Sequence, residues 1–293
     1  MSSIHELVRS ARQRFLDAGI QAAEAELDGR VLAERLLRWD AAQYFAHGEM
    51  PAPAGFEERY QTLTERRIRR EPVAYIIGEQ EFWNLAFEVT PAVLIPRPET
   101  ELVVQTTLAL LDDRAQGAQT GDAARIVDCC TGSACLAVAL AIERPSAHLV
   151  ATDVSHEALL VARHNVTRHR VSGRVSLVQS SVLAGLVGPF DAIVANPPYV
   201  PDGEKAVLQP EVVNYEPPLA LFAGPDGLSV IRRLVEEAPD RLAPGGRLVF
   251  EFGFGQVEGI TRLIEQNPRL KMLDVRSDLQ GIPRVAVAAR AAG

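Results

Sequence analysis

Val127-Asp128-Cys129-Cys130-Thr131-Gly132-Ser133-Ala134-Cys135, running on into the apolar stretch 136–142, decides the fold. An apolar run, a turn of small residues and an apolar helix, in that order, make the first half of a βαβ unit. Such a turn brings backbone N–H groups to the start of the helix, where a nucleotide-like ligand is favoured. Gly132 is its single glycine, so the turn alone is equally compatible with a plain strand-to-helix connection. Short β-branched runs at 125–128, 148–152, 175–179, 191–195 and 247–252 alternate with helical segments. That rhythm predicts an α/β fold with a Rossmann-like, doubly wound, mostly parallel sheet. Two late apolar runs, 271–276 and 284–289, are close enough to add an antiparallel hairpin at its edge. The small, polar stretch 116–124 reads as an exposed connection with no site of its own.

Upstream the period changes. Leu7, Val8, Ala11 and Phe15, then Leu27, Val31, Leu32 and Leu36, then Phe56, Tyr60 and Leu63 recur at helical spacing. Gly19 is placed to end the first helix, and 47–55, with Pro51 and Pro53, separates the second from the third. From 81 to 89 aromatic and polar residues alternate as in a hairpin, which leads into Leu94-Ile95-Pro96-Arg97-Pro98-Glu99-Thr100. The organisation expected is a small helical domain over 1–72, a hairpin linker over 73–100 and the α/β domain over 101–293.

Composition narrows the function. Apolar residues are 47% and charged residues 23% of 293, as in a globular protein, and no apolar run approaches the ~20 residues needed to span a bilayer. His5, Glu6 and Arg9 interrupt the N-terminus, unlike a signal peptide, so the cytoplasm is the expected compartment. Cys129, Cys130 and Cys135 are too close together for a disulfide framework. They also lack further ligands at zinc-like spacing, so buried or half-buried thiols and no metal are expected. A net charge of −8 disfavours duplex DNA. The one basic run, Arg66-Arg67-Ile68-Arg69-Arg70, reads as a solvated helix face.

The reacting end lies at Asn196-Pro197-Pro198-Tyr199, directly after the strand 191–195. A Pro-Pro pair cannot continue a ladder, so these residues fall at the edge of the sheet. Asn196 offers an amide oxygen and Pro197 a carbonyl, and neither ionises, so together they can orient an N–H2 group without taking its proton as a charged base would. Asp153 ends the second strand about 20 residues after the small-residue turn, where a carboxylate holds ribose hydroxyls. It can equally cap the helix that follows. In a doubly wound sheet the first and fourth strands are neighbours across the point where strand order reverses. The loop 128–134 and the tetrapeptide 196–199 then face one crevice, with a cofactor on one side and an oriented amide nitrogen on the other.

With these motifs and Pro96-Arg97-Pro98-Glu99-Thr100 in order, the chain resembles class I S-adenosylmethionine-dependent methyltransferases, and among them the peptide chain release factor glutamine N5-methyltransferase family. The resemblance extends to Glu71-Pro72-Val73-Ala74-Tyr75-Ile76-Ile77-Gly78, Glu81-Phe82-Trp83 and Tyr215-Glu216-Pro217. It implies S-adenosylmethionine as cofactor and a class 1 release factor, methylated on the glutamine of its Gly-Gly-Gln loop, as substrate. It makes Asn196, Pro197, Pro198 and Tyr199 the catalytic group, with Tyr199 and Pro198 packed beside the planar amide. Asp128, Cys130, Thr131, Gly132 and Ala134 become the methionine and sugar cradle, Asp153 the ribose clamp, and Thr100 a wall near the methionine part. Ser181 and Val182 fall where the family contacts adenine, and Asn196 also counts among the cofactor-binding residues. Arg97 and Glu99 read as an ion pair that stiffens the linker.

Three positions depart from the family pattern. Its Asp-x-Gly-Thr-Gly-x-Gly loop has Cys130 and Ala134 here in place of two glycines, which bears on close backbone approach to the cofactor. Ser181 stands where the family has Asp, and a hydroxyl lacks the charge-assisted strength of a carboxylate. A ribosomal-protein glutamine methyltransferase, a nucleic-acid adenine methyltransferase and a non-catalytic paralogue with a drifted loop are the competing readings. The expected partner is a release factor, gripped by the helical domain of a monomer, with no direct DNA contact and no membrane.

Overall fold

A computed structural model describes residues 2–117 and 123–291. The chain divides into two compact units, Met1–Glu79 with Leu208–Tyr215, and Gln80–Val207 with Glu216–Gly293. Among the described residues no helix is long and apolar enough to cross a membrane.

The first unit is helical: α1 (Ile4–Asp17), α2 (Ala22–Leu37), α3 (Ala41–His47), α4 (Phe56–Ile68) and α5 (Val73–Ile77). A reciprocal cap starts α1, since the Ser3 hydroxyl accepts the Glu6 N–H at 3.2 Å and the Glu6 carboxylate accepts the Ser3 N–H at 2.8 Å. Ile4, Val8, Ala11 and Phe15 then form its buried stripe. Helix α3 escapes the periodicity argument because its seven residues bury only Tyr44. It is launched by a second reciprocal cap between Asp40 and Gln43.

The basic run is not a solvated face. Tyr60, Thr64 and Arg67 share the buried side of α4, and Arg67 is 4% exposed. Its guanidinium donates to Asp28 at 2.6 Å and to Glu211, in the short helix Pro210–Tyr215, at 2.7 Å. Arg70 grips both oxygens of Glu211 at 2.7 Å, and Arg66 grips Glu71 at 2.9 and 2.6 Å. A buried arginine needs such partners.

The second unit opens with the hairpin of β1 (Glu79–Phe82) and β2 (Leu85–Glu88). Its two-residue turn, Trp83-Asn84, is left-handed at both positions (φ 55° and 54°), the conformation whose twist suits a tight hairpin. There follow α6 (Glu101–Gly117), β3 (Arg125–Cys129), α7 (Cys135–Glu143), β4 (His148–Asp153), α8 (His156–Arg168), β5 (Val175–Gln179) and β6 (Phe190–Ala195). After α9, the helix Pro210–Tyr215 of the first unit, come α10 (Pro218–Leu221), α11 (Ser229–Glu237), β7 (Leu242–Glu251), α12 (Val257–Glu265), β8 (Leu270–Ser277) and β9 (Pro283–Arg290). The connection expected over 116–124 begins inside α6, and 118–122 lie outside the described residues.

The strands order as β5-β4-β3-β6-β7-β9-β8. The first five are parallel, and β9 and β8 add the antiparallel hairpin at one edge. Parallel strands are covered on both faces, and the unbroken apolar runs of β3 and β6 supply that: Ile126, Val127, Ile193 and Val194 are fully buried. Helix α7 is buried from Cys135 to Ala141, which is why it is apolar all round.

One buried amide fastens the hairpin to the loop after β3. Asn165 of α8 accepts the Glu88 N–H at 2.8 Å and donates to the carbonyls of Glu88 and Ser133, both at 3.0 Å. Removing it leaves those buried and half-buried backbone groups without their partner. Asn165→Ala is therefore expected to lower the free energy of unfolding in urea by about 2–4 kcal/mol; a loss below about 0.5 kcal/mol would show that the amide is dispensable.

Candidate active site

Register brings three strand ends together. Cys129 of β3 lies opposite Thr152 of β4 on one side and Ala195 of β6 on the other, so the loops that follow leave the sheet side by side. The Thr131 N–H bonds the Thr152 carbonyl at 2.9 Å, and Gly132 N–H bonds one Asp153 oxygen at 2.9 Å. The other Asp153 oxygen accepts the Ser155 N–H at 2.9 Å. Ser155, not Asp153, caps α8, its hydroxyl accepting the Ala158 N–H at 3.1 Å. Asp153 thus belongs to the loop cluster, where burial raises its carboxyl pKa against the pull of backbone N–H groups.

Cys130, Gly132 and Ala134 all take positive φ (58°, 52° and 66°). Two of the three positions are therefore left-handed without glycine, at a cost of about 1–2 kcal/mol each. The Ala134 methyl is fully buried in the apolar core, which offsets part of its share. The loop keeps the shape that glycines would give it.

A cavity of about 260 Å³ opens over these strand ends. Thr100, Cys130, Thr131, Gly132, Asp153, Ser181, Val182, Asn196 and Pro198 line it, with apolar walls from Val93, Leu94, Leu136, Val154 and Val230. Asp128, Ala134, Pro197 and Tyr199 are not on its wall. Asp128 and Ala134 are fully buried. Arg233 lines the cavity too, donating to the Ser181 hydroxyl at 2.7 Å. Sequence reasoning passes over Arg233, since an arginine on an amphipathic helix looks like any surface charge.

Beside the cavity runs a chain of polar side chains. Asn196 Nδ2 donates to Thr100 Oγ1 at 2.9 Å, and Thr100 donates to Glu251 at 2.6 Å. The Tyr199 hydroxyl reaches the other Glu251 oxygen at 2.9 Å. Asn196 Oδ1 is buried and without a hydrogen-bond partner. Gln256 steadies the Tyr199 backbone, donating to its carbonyl at 2.8 Å while accepting the Gly253 N–H at 2.8 Å. Arg97 pairs with the buried Glu216 and not with Glu99, so that ion pair joins the segment before α6 to the segment before α10. Glu251 is the residue that sequence reasoning misses; its signal is a carboxylate inside the apolar run Leu248-Val249-Phe250-Glu251-Phe252.

A seven-stranded sheet with a reversed terminal hairpin, and a cavity over the ends of its central parallel strands, defines a class I S-adenosylmethionine-dependent methyltransferase. A methyltransferase from Pyrococcus furiosus of known structure shares the fold, with a TM-score of 0.53 over 77% of this chain and 98% of its own at 19% identity. Family models for a PrmC N-terminal domain and a methyltransferase small domain match residues 6–78 and 107–215. The release factor glutamine methyltransferase of Bradyrhizobium diazoefficiens is 41% identical over 97% of this chain and 94% of its own. That of Coxiella burnetii is 36% identical over 99% and 100%. The chain belongs to the release factor glutamine methyltransferase family.

Asp128 gives the site a pH signature. One of its oxygens is held by Thr131 at 2.5 Å and the Ala137 N–H at 3.1 Å, and the other is buried without a partner. Burial pushes its carboxyl up to about 7, against those two hydrogen bonds and with a smaller push from Asp153. The folded chain therefore holds this proton more tightly than the unfolded one does. The stability it contributes is complete below the unfolded value of about 3.9 and is lost as pH rises through about 7. From about pH 5 to pH 8 the Tm of the ligand-free wild type should fall relative to that of Asp128→Asn, whose amide does not ionise; parallel trends would contradict a buried, titrating Asp128.

Proposed function

We propose that this chain transfers a methyl group from S-adenosylmethionine to the side-chain amide nitrogen (N5) of the glutamine in the Gly-Gly-Gln loop of class 1 peptide chain release factors. The observation that carries this reading is Asn196 Oδ1, a buried acceptor without a partner, pinned through its own Nδ2 beside the cavity. Burying such an atom unpaired is costly, so its placement marks a donor to come. The N–H2 of a glutamine amide is a donor of the right kind.

The cavity's residues fit the cofactor. Apolar walls suit a purine, and the Asp153 carboxylate keeps lone pairs for two ribose hydroxyls; Asp128, fully buried in β3 and not on the cavity wall, would brace the cradle for the cationic methionine end through its bonds to Thr131 and the Ala137 N–H. Thr100, Cys130, Thr131, Gly132 and Ala134 would shape that cradle. Ser181 and Val182 would meet the base, with the Ser181 oxygen already engaged by Arg233. When bound, S-adenosylmethionine supplies an electrophilic methyl on a positive sulfur.

The chain's own contribution is orientation. Asn196 Oδ1 and the Pro197 carbonyl accept the two N–H groups of the substrate amide, and Pro198 and Tyr199 pack against its plane. This directs the nitrogen lone pair at the methyl carbon. Amide nitrogen is a poor nucleophile because its lone pair is delocalised, so acceptors that strengthen as the nitrogen becomes positive favour the transition state. Alignment of the reacting atoms contributes about 7–11 kcal/mol in favourable cases.

The helical domain would grip the release factor, with the protein acting as a monomer in the cytoplasm and without DNA. A net charge of −8 supports a protein partner over duplex nucleic acid. Incubation with S-adenosylmethionine and a class 1 release factor should add one methyl, found by mass spectrometry on the Gly-Gly-Gln glutamine; an unmodified glutamine at saturating cofactor would sink the proposal. Asn196→Ala should lower kcat by about 10²–10³-fold with cofactor affinity retained. Asp153→Ala should do the reverse at the first step, removing micromolar cofactor binding from a calorimetric titration; unchanged affinity would reassign the ribose clamp.

A further inference from the structure

Glu251 has no part in the roles assigned above, yet it is a charged group hydrogen-bonded to both Tyr199 and Thr100 at the amide site. It closes β7, is 2% exposed, and has both oxygens occupied by hydroxyls. Thr100 Oγ1 lies 2.6 Å from Oε2 and Tyr199 Oη 2.9 Å from Oε1. A carboxylate accepts and never donates, and a hydroxyl has one proton to give. With Glu251 ionised, both hydroxyl protons therefore point at it.

Thr100 is then left with lone pairs only. Its neighbour at 2.9 Å is the Asn196 side chain, which must turn its N–H2 toward Thr100 and its oxygen away. The oxygen turned away is the buried Oδ1 that has no partner. Reversing the amide would set N–H2 against the substrate's N–H2, two donors with no acceptor between them.

We infer that Glu251 is a positioning residue: through Thr100 it fixes the polarity of the hydrogen-bond chain so that Asn196 presents Oδ1, not Nδ2, to the substrate nitrogen. Its second oxygen holds the Tyr199 ring in the same act. The inference rests on the proposed role of Asn196 as acceptor for the substrate amide. It assigns to β7, a strand outside the cofactor loops, the control of which atom meets the nucleophile.

The test uses Glu251→Gln, Thr100→Val, Thr100→Ser and Asn196→Ala in the full chain, with kcat on a release factor, cofactor affinity by calorimetry and Tm for each. Glutamine keeps the shape of Glu251, but its N–H2 end cannot accept, so one of the two hydroxyls loses its acceptor. Glu251→Gln is expected to lower kcat by about 10–100-fold, with cofactor Kd held to about twofold and Tm little changed. Thr100→Ser keeps the hydroxyl and should lose less kcat than Thr100→Val, whose loss should match that of Glu251→Gln. The Glu251→Gln/Thr100→Val double variant should be close to the worse single one, because both act on one chain. Wild-type kcat in Glu251→Gln, or multiplied losses in the double variant, would overturn the inference. So would a kcat loss that merely follows a fall in Tm and cofactor binding. If Glu251→Gln fails to fold, the contrast between Thr100→Val and Thr100→Ser still decides, equal kcat in the two being the overturning result. Full activity in Asn196→Ala would instead remove the acceptor reading itself, whereas an inactive Asn196→Ala beside a fully active Glu251→Gln would remove only the role of Glu251.

Discussion

Everything at the site depends on the parallel pairing of β3 with β6. These strands are neighbours although β4 and β5 lie between them in sequence, and the register sets Cys129 opposite Ala195. Both chains therefore leave the sheet at the same height, one into the loop 130–134 and the other into Asn196-Pro197-Pro198-Tyr199. A one-residue slip would turn every side chain of β6 to the opposite face. The burial of Ile193 and Val194 on both faces leaves no room for such a slip. The position of Asn196 is thus a consequence of how an apolar strand packs.

Around that edge the chain separates two kinds of polar group. The tetrapeptide offers acceptors that do not ionise, while Asp128 and Glu251 are buried and Asp153 lines the cavity, each tied to hydroxyls or backbone N–H groups. Burial raises the pKa of Asp128, Asp153 and Glu251 alike. These carboxyls hold other groups in place, and the acceptors offered by Asn196 and Pro197 carry no charge. The left-handed Cys130 and Ala134 belong to the same economy of shape: the loop holds a strained backbone because hydrogen bonds from Thr131 and Gly132 to β4 over-determine it.

Much of this is readable in the chain itself. The central strands β3 and β6 are largely buried apolar runs and the other three carry short β-branched runs, so each can be recognised, and the late hairpin is betrayed by two such runs close together. Helix α3 is not readable, because seven residues with one buried side chain carry no period. The basic run misleads for a different reason: the partner of Arg67 and Arg70 is Glu211, far along the chain, and no local pattern announces it. At the site, nine of the candidate residues converge on one cavity, because strand ends and loop chemistry are local signals. Glu251 and Arg233 act through tertiary neighbours, and only the packed structure brings Glu251 to Thr100 and Arg233 to Ser181.

On the proposed reading, a glutamine side-chain nitrogen is held by acceptors at Asn196 and Pro197 against the cofactor cavity. A crystal structure of the chain with S-adenosylhomocysteine and a peptide containing Gly-Gly-Gln tests it most directly. The glutamine N–H2 should lie within about 3 Å of Asn196 Oδ1 and of the Pro197 carbonyl, with Asn196 Nδ2 still on Thr100. A glutamine bound elsewhere, or an Asn196 whose N–H2 faces the substrate, would contradict it.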